Sequence, residues 1–280
     1  MTPSTSRTSP AEMIALEDLD YHHFVARIKD SLGLDLSSYK ETQMKRRLNS
    51  LRQKRGFPDF AAYYGALMRN RELLAEFLDR VTINVSEFWR NPIRWHVLRQ
   101  RFLPELIGRS PRLKCWSAAC STGEEPYTLA MILAEHKLLA HARIIASDID
   151  EGALAKAKVG VYPDRSVKDV PPRYLKTYFV QDSAQQYRVV PELKQAVRWE
   201  KKNLLLDPFE SDFDLIICRN VVIYFTEEAK HGLYQRFADA LRPGGLLFVG
   251  STEQIFHPQQ YGLQPVETFF YQKTVAPSAW

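Results

Sequence analysis

The fold this chain predicts is a small all-α domain followed by an α/β domain with a parallel sheet and a small β insertion. Three observations carry it. Through the first ninety residues apolar side chains recur at helical spacing, with no strand-like run between them. From about Arg112 the texture changes to short apolar runs alternating with amphipathic stretches, as in a parallel sheet covered on both faces. Between about 162 and 197 that alternation breaks into short β-type runs such as VYPDRS, YFVQD and YRVVPEL, which suit a subdomain projecting from the sheet.

Residues 1–14, rich in Ser, Thr and Pro, are expected to be a disordered lead-in, without an apolar stretch to serve as a signal peptide. A helical domain is expected over 15–83. Its first helix carries Tyr21, Phe24, Val25, Ile28 and Leu32 on one stripe, with Gly33 as its end. Ser37 or Ser38 can cap a second helix whose inner face is Met44, Leu48 and Leu51. Phe60, Tyr63, Tyr64, Leu67 and Met68 suggest a third, and Leu73, Leu74, Phe77, Leu78 and Val81 a fourth. A linker over 84–92 leads to the α/β domain, 93–280. There LKCWSA, RIIAS, FDLIIC and GLLFVG read as buried strands, with helices over 126–138 and 227–241, and ETFFYQK as an edge strand.

Composition sets the broad class. The 280 residues are 45% hydrophobic and 25% charged, an ordinary soluble globular balance, and no apolar run approaches the ~20 residues that span a bilayer. Cys115, Cys120 and Cys218 form no Cys-x-x-Cys pair, so neither a disulfide framework nor a zinc knuckle is expected, and a reducing cytoplasm is the natural setting. The histidines lack metal-ligand spacing, and no metal is expected. The net charge of +5 favours an acidic partner without choosing among nucleic acid, membrane and protein. No large exposed apolar stripe is evident, which points to a monomer.

The strongest local signal is LKCWSAACSTGEEPYTLA, residues 113–130. A strand ends in small residues, turns through Ser121-Thr122-Gly123 and enters a helix with Pro126 in its first turn. Such turns at the C-terminal edge of a parallel sheet bind nucleotides. Glu124 and Glu125 stand where a pyrophosphate would need N–H donors alone, which disfavours NAD and ATP. S-adenosylmethionine (SAM), cationic and free of phosphate, fits better; the plainer alternative is that both glutamates complement the helix dipole. The next strand closes on Asp148-Ile149-Asp150, where Asp148 is placed for ribose hydroxyls and Asp150 for capping the following helix. FDLIICRNVVIYF then sets Arg219, Asn220 and Tyr224 beyond a third strand, at the same edge or as a polar loop.

Taken together, NVSEFWR, STGEEPY, ASDID, CRNVVIYF and LRPGGLLFVGSTE resemble, in that order, the chemotaxis protein methyltransferases, the CheR family, over about residues 15–273. The resemblance implies a Rossmann-like SAM-dependent methyltransferase domain behind the helical one. It implies methyl transfer to glutamates on the cytoplasmic domains of methyl-accepting chemotaxis receptors, with S-adenosylhomocysteine as coproduct. By the same resemblance Asn84, Ser86 and Arg90 would close over the cofactor, Glu124 would take its ammonium, and Asp148 its ribose. Asn203 and Leu204 would flank the adenine, and Asn220 with Val221 would complete the pocket floor. Ser86 stands where the family commonly has threonine, and the hydroxyl is kept.

A glutamate with a pKa near ~4.3 is already a nucleophile at neutral pH, so alignment and exclusion of water are the enzyme's task. Arg90 is expected to hold a carboxylate, the substrate's or the cofactor's own, through its forked donors. Tyr224 is expected to steer substrate or methyl group, unless it is purely structural. Residues 40–56 hold seven Lys or Arg against one Glu. Lys45, Arg46, Arg52 and Arg55 are expected to form a docking face for glutamate-rich receptor helices, against the alternative of a merely solvated face. Family members that bind a receptor's C-terminal peptide do so through a glycine-bearing loop of the β insertion. YFVQDSAQQYRVV has no glycine, so action without a tethering peptide is expected.

Two other functions compete. A nucleic-acid methyltransferase would carry an Asn/Asp-Pro-Pro-Tyr/Phe motif where RNVVIYF stands, or a Pro-Cys nucleophile, and has neither. A catalytically silent SAM-binding adaptor would have no need of Arg90 and Tyr224.

Overall fold

A computed structural model describes residues 10–82, 86–182 and 185–275. They form two compact units that divide at residue 84. The first consists of α1 (Pro10–Leu32), α2 (Glu41–Lys54), α3 (Phe60–Leu67) and α4 (Arg71–Thr82). Helix α1 begins at Pro10, inside the stretch expected to lack structure; proline opens a helix readily because it has no N–H to leave unpaired.

Tyr21, Phe24 and Ile28 of α1 are buried at the expected spacing. The Phe24 ring lies 5.0 Å from Phe60 and 6.0 Å from Tyr63 and Phe77, so one aromatic side chain joins α1, α3 and α4. Burying such a side chain contributes about 1.5–3 kcal/mol. Met44, Leu48 and Leu51 supply the buried face of α2.

Two expectations for this unit need correction. Ser37 and Ser38 do not cap α2. Asp35 accepts the Ser37 N–H at 3.1 Å and closes a 3₁₀ turn over Leu36–Ser38, so α2 starts later, at Glu41. Arg52 is no docking residue. It is 4% exposed, donates to the Phe57 and Pro58 carbonyls and to Asn49 Oδ1, and lies over the Phe60 ring at 5.1 Å. Backbone carbonyls left open after a helix end take a donor, and the nearest long cationic side chain serves them.

The second unit opens with α5 (Pro92–Val97) and α6 (Leu103–Arg109), joined by a π-helical turn over Leu98–Phe102. Then follow β1 (Lys114–Ala118), α7 (Glu124–Glu135), β2 (Arg143–Asp148) and α8 (Glu151–Val159). The insertion comprises β3 (Val161–Pro163), α9 (Asp164–Val167), α10 (Pro172–Tyr178), β4 (Phe179–Gln181) and β5 (Gln186–Val189). The chain continues through α11 (Pro191–Ala196), β6 (Val197–Lys201), β7 (Phe213–Cys218), α12 (Glu227–Ala240), β8 (Leu241–Val249), β9 (Leu263–Glu267) and β10 (Phe270–Lys273).

Among the described residues the main sheet has the order β6-β2-β1-β7-β8-β10-β9, parallel from β6 to β8 and antiparallel beyond. The insertion forms its own antiparallel sheet, β3-β5-β4. Strand β7 is buried along its whole length, as a central parallel strand must be. ETFFYQK does not form the edge: it turns from β9 into β10, and β10 lies inside, between β8 and β9. Strand β6 shows no continuous apolar run because it is the opposite edge, with one buried residue among partly and fully exposed ones. Among the described residues no helix is long and apolar enough to cross a membrane.

The structural role of Arg52 is testable. Arg52→Ala is expected to destabilise the helical unit by about 1–3 kcal/mol, since the Phe57 and Pro58 carbonyls lose their donor and Phe60 its cover. Arg46→Ala, on the exposed face of α2, is expected to stay within about 0.5 kcal/mol. Urea unfolding of each variant reads the difference.

Candidate active site

The chain turns away from β1 in two directions: towards β2 and β6 on one side, and towards β7 and β8 on the other. Ligands of open α/β sheets bind at such a switch point, beyond the C-terminal strand ends. The cofactor residues expected from sequence gather here. Turn 119–124 follows β1, Asp148 ends β2, Asn203 and Leu204 follow β6, and Asn220 and Val221 follow β7.

The turn after β1 is unusually tight. Ala119 (φ 59°), Ser121 (φ 48°) and Gly123 (φ 96°) are all left-handed. At Gly123 a Cβ would also lie 2.8 Å from the Ala157 Cβ and 3.0 Å from Trp199, so no larger residue fits. The turn is tied down from three sides. Ser121 N–H donates to Asp148 Oδ2 at 2.7 Å, Cys120 N–H to the Ser147 carbonyl at 2.9 Å, and the Tyr162 hydroxyl to the Thr122 carbonyl at 2.7 Å.

Glu124, the first residue of α7, is 3% exposed and accepts from the Thr122 hydroxyl at 2.7 Å. The Ser86 hydroxyl also bonds it, which brings two of the expected cofactor residues together. Burial raises its pKa above the usual carboxylate range. Asp148, 6% exposed, is raised by burial likewise, although it also accepts the Asp150 N–H at 2.9 Å. Among the described residues neither carboxylate has a cationic partner within ion-pairing distance. Two buried acids held by donors but left without a counter-charge suit a ligand that brings its own ammonium, sulfonium and hydroxyls. The donor set therefore fits SAM. Ser86, Thr122 and Glu124 line a cavity of about 690 Å³ with Tyr162, Lys156 and Arg165.

The remaining expected residues fall as follows. Asp150 caps α8 through the Gly152 and Ala153 N–H groups. Asn203 Oδ1 accepts the Leu205 N–H at 2.9 Å, while Leu204 is buried with its carbonyl held by Arg236. Asn220 is left-handed at φ 61°, and Tyr224 ends a 3₁₀ turn, half-buried. The Arg90 carbonyl accepts from Arg219 Nη2 at 2.8 Å, and its charge acts on Glu125 and Arg219. Asn84 lies outside the described residues. Cys120 and Cys218 are buried and free, and burial pushes both thiols up, away from reactivity.

Sequence reasoning passed over a second buried network. Arg219, 8% exposed, donates to the Arg90 carbonyl and to Asn91 Oδ1 at 2.9 Å, sits over Phe248 at 4.7 Å, and lies 3.8 Å from Glu125. Glu125 accepts from the Ser117 hydroxyl at 2.8 Å. Arg219 thereby ties the start of the second unit to the end of β7. One signal was present: the EE pair can place only one glutamate at the ligand, leaving the other for a partner inside.

In the first unit, described by itself, Arg46 is exposed and lines a cavity of about 570 Å³ with Arg47, Lys54, Arg80, Gln43 and Ser50. Lys45 pairs with Asp18, and Arg55 with Glu76 at 2.7 Å.

The sheet order, the glycine turn and the two uncompensated carboxylates define a Rossmann-like SAM-dependent methyltransferase. The comparisons agree on its kind. Residues 84–270 match the SAM binding domain of CheR methyltransferase, and residues 19–82 match its all-alpha domain. The chain is 44% identical over 263 residues to a chemotaxis protein methyltransferase of Listeria innocua, covering 94% of this chain and 100% of the relative. It is 33% identical over 255 residues to that of Escherichia coli, covering 88% of each. The chain belongs to the CheR family of chemotaxis methyltransferases.

Burial pushes the Glu125 carboxyl up to about 7, although Arg219 and Ser117 oppose the rise. Its protonated form favours the folded state. That contribution is present below the unfolded value near ~4.5 and is lost as pH rises through about 7. Glu125→Gln is expected to match the parent near pH 5 and to show a flatter melting temperature from pH 5 to 8, the difference amounting to about 3 kcal/mol at most. Thermal melts across that range read it.

Proposed function

We propose that the protein transfers the methyl group of SAM to glutamate side chains on the cytoplasmic helices of chemotaxis receptors, forming methyl esters. The observation that carries the reading is the pair of buried carboxylates without a counter-charge, Glu124 and Asp148, at the sheet's switch point. Family membership names chemotaxis as the setting.

In this reading Ser86 and Glu124 hold the ammonium end, Asp148 the ribose, Asn203 and Leu204 the adenine, and Asn220 and Val221 the floor, with Asn84 a further cofactor contact. Bound SAM supplies an activated methyl on sulfur. The chain's own residues bind, orient and exclude water. A receptor glutamate, ionised at neutral pH, needs no general base. Arg90 holds its carboxylate or the cofactor's, and Tyr224 steers it, so the barrier falls by orientation and desolvation.

Receptor helices rich in glutamate are met by the basic face of the helical unit. Arg46 and Arg55 belong to that face and Lys45 borders it; Lys54 and Arg80 extend it in place of Arg52. The loop of the insertion, with no glycine between Phe179 and Val189, supports action without a tethering peptide.

Methyl-labelled SAM incubated with receptor-containing membranes is expected to label the receptors, and mild alkali to release the label as methanol. Arg90→Ala is expected to lower transfer at least 100-fold, and removing the receptor's C-terminal residues to leave the rate unchanged. Label on RNA, or on no receptor despite tight SAM binding, would overturn the reading. The double variant Arg46→Glu, Lys54→Glu is expected to weaken receptor methylation about ten-fold at low salt and less at high salt, with S-adenosylhomocysteine affinity unaltered.

A further inference from the structure

Glu253 lies in the loop after β8, in the run Gly250-Ser251-Thr252-Glu253, and is 4% exposed. Its Oε1 accepts the Val222 N–H at 2.7 Å, and its Oε2 accepts the Asn220 N–H at 2.7 Å and the Gly250 N–H at 2.8 Å. One carboxylate thus joins the C-terminal ends of two adjacent parallel strands, β7 and β8. The turn it grips, 219–222, holds Asn220 in the left-handed region, a conformation asparagine accepts readily but does not hold without partners. Gly250 makes room for the grip. A Cβ there would lie 2.5 Å from Glu253 Oε2 and 2.9 Å from the Asn220 nitrogen. This turn carries Asn220, Val221 and, two residues on, Tyr224, and from its start Arg219 reaches the Arg90 carbonyl.

We infer that Glu253 is a positioning residue for methyl transfer: its carboxylate sets the turn that aligns Asn220 and Val221 with the cofactor and Tyr224 with the substrate. The inference rests on the proposed function for the identity of the substrate, but not for cofactor binding. A carboxylate is required because three N–H donors converge on it. An amide has one acceptor oxygen, and its NH₂ would face donors.

The test compares Glu253→Gln with the parent. The variant is expected to melt within a few degrees of it and to show faster hydrogen exchange at the Asn220 and Val222 amides in the ligand-free protein. S-adenosylhomocysteine binding, by calorimetry, is expected to weaken about ten-fold, and kcat to fall about 100-fold with a smaller change in KM, as for a small misplacement of reacting groups. Gly250→Ala presses on the same contact from the other side and is expected to reproduce the defect. The double variant is expected to be no worse than the poorer single one, because both act on one contact. Faster exchange with unchanged affinity and unchanged kcat would overturn the inference and leave Glu253 a clamp of structure alone. If Glu253→Gln does not fold, Gly250→Ala decides, and normal affinity and kcat in it overturn the inference. Should the parent label no receptor, the proposed substrate fails, while the ratio of S-adenosylhomocysteine affinities still judges Glu253.

Discussion

Negative charge buried at the ligand edge of the sheet is the constraint to which the surrounding structure answers. Glu124 and Asp148 are each disfavoured by desolvation, and neither has a counter-charge among the described residues. What they have instead are donors: the Thr122 and Ser86 hydroxyls for one, the Ser121 and Asp150 N–H groups for the other. The chain reverses sharply after β1 so that the Ser121 N–H can reach Asp148, and the left-handed Ala119, Ser121 and Gly123 are the cost of that reversal. A fold optimised for stability alone would place apolar side chains here. Retention of two unpaired acids is intelligible once the balancing charge arrives with a ligand.

The small antiparallel insertion belongs to the same arrangement. From its β3, Tyr162 donates to the Thr122 carbonyl, and the Tyr162 ring meets Phe88 edge-on at 4.8 Å. The Phe88 N–H donates to the Ser166 carbonyl, its ring also packs on Phe179 at 5.1 Å, and Trp89 tilts against Tyr174 at 4.6 Å. The insertion therefore buttresses two segments at once: 86–89, which carries Ser86, and the turn that carries Glu124. From the opposite side Arg219 holds the Arg90 carbonyl and Asn91, and Glu253 holds the turn from which Arg219 departs. The residues expected to touch ligand are few; those that keep them in place come from distant parts of the chain.

How much was legible depended on how local the physics is. The stripe Tyr21, Phe24, Ile28 was readable because a helix repeats its environment every three to four residues. β7 was readable because a strand buried on both faces has no alternative to a continuous apolar run. β6 was not, because an edge strand needs only one buried position in five and imitates a polar loop. Arg52 was misjudged for a related reason. Composition marks it as one cation among seven, and only the helix end it meets reveals that two carbonyls need it.

By itself the sequence determined the division into a helical and an α/β domain, the glycine turn and its acidic helix start, and Asp148 at the close of β2. Each is written in adjacent residues or in a short period, where local sterics and hydrogen bonding act alone. Only the tertiary structure showed that Glu125 turns inward to Arg219 while Glu124 lines a cavity with Ser86 and Thr122. It likewise decided that Arg52 is a buried donor, that β10 lies inside β9, and that Glu253 reaches from the end of β8 to Asn220 and Val222 beyond the adjacent β7. Those outcomes turn on burial and on donor–acceptor pairing in the folded chain, as where Glu253 meets Asn220 and Val222 from a strand end that lies beside theirs in space but about thirty residues away in the chain. No local pattern records such pairing, because the partner is chosen by the order of strands in the sheet.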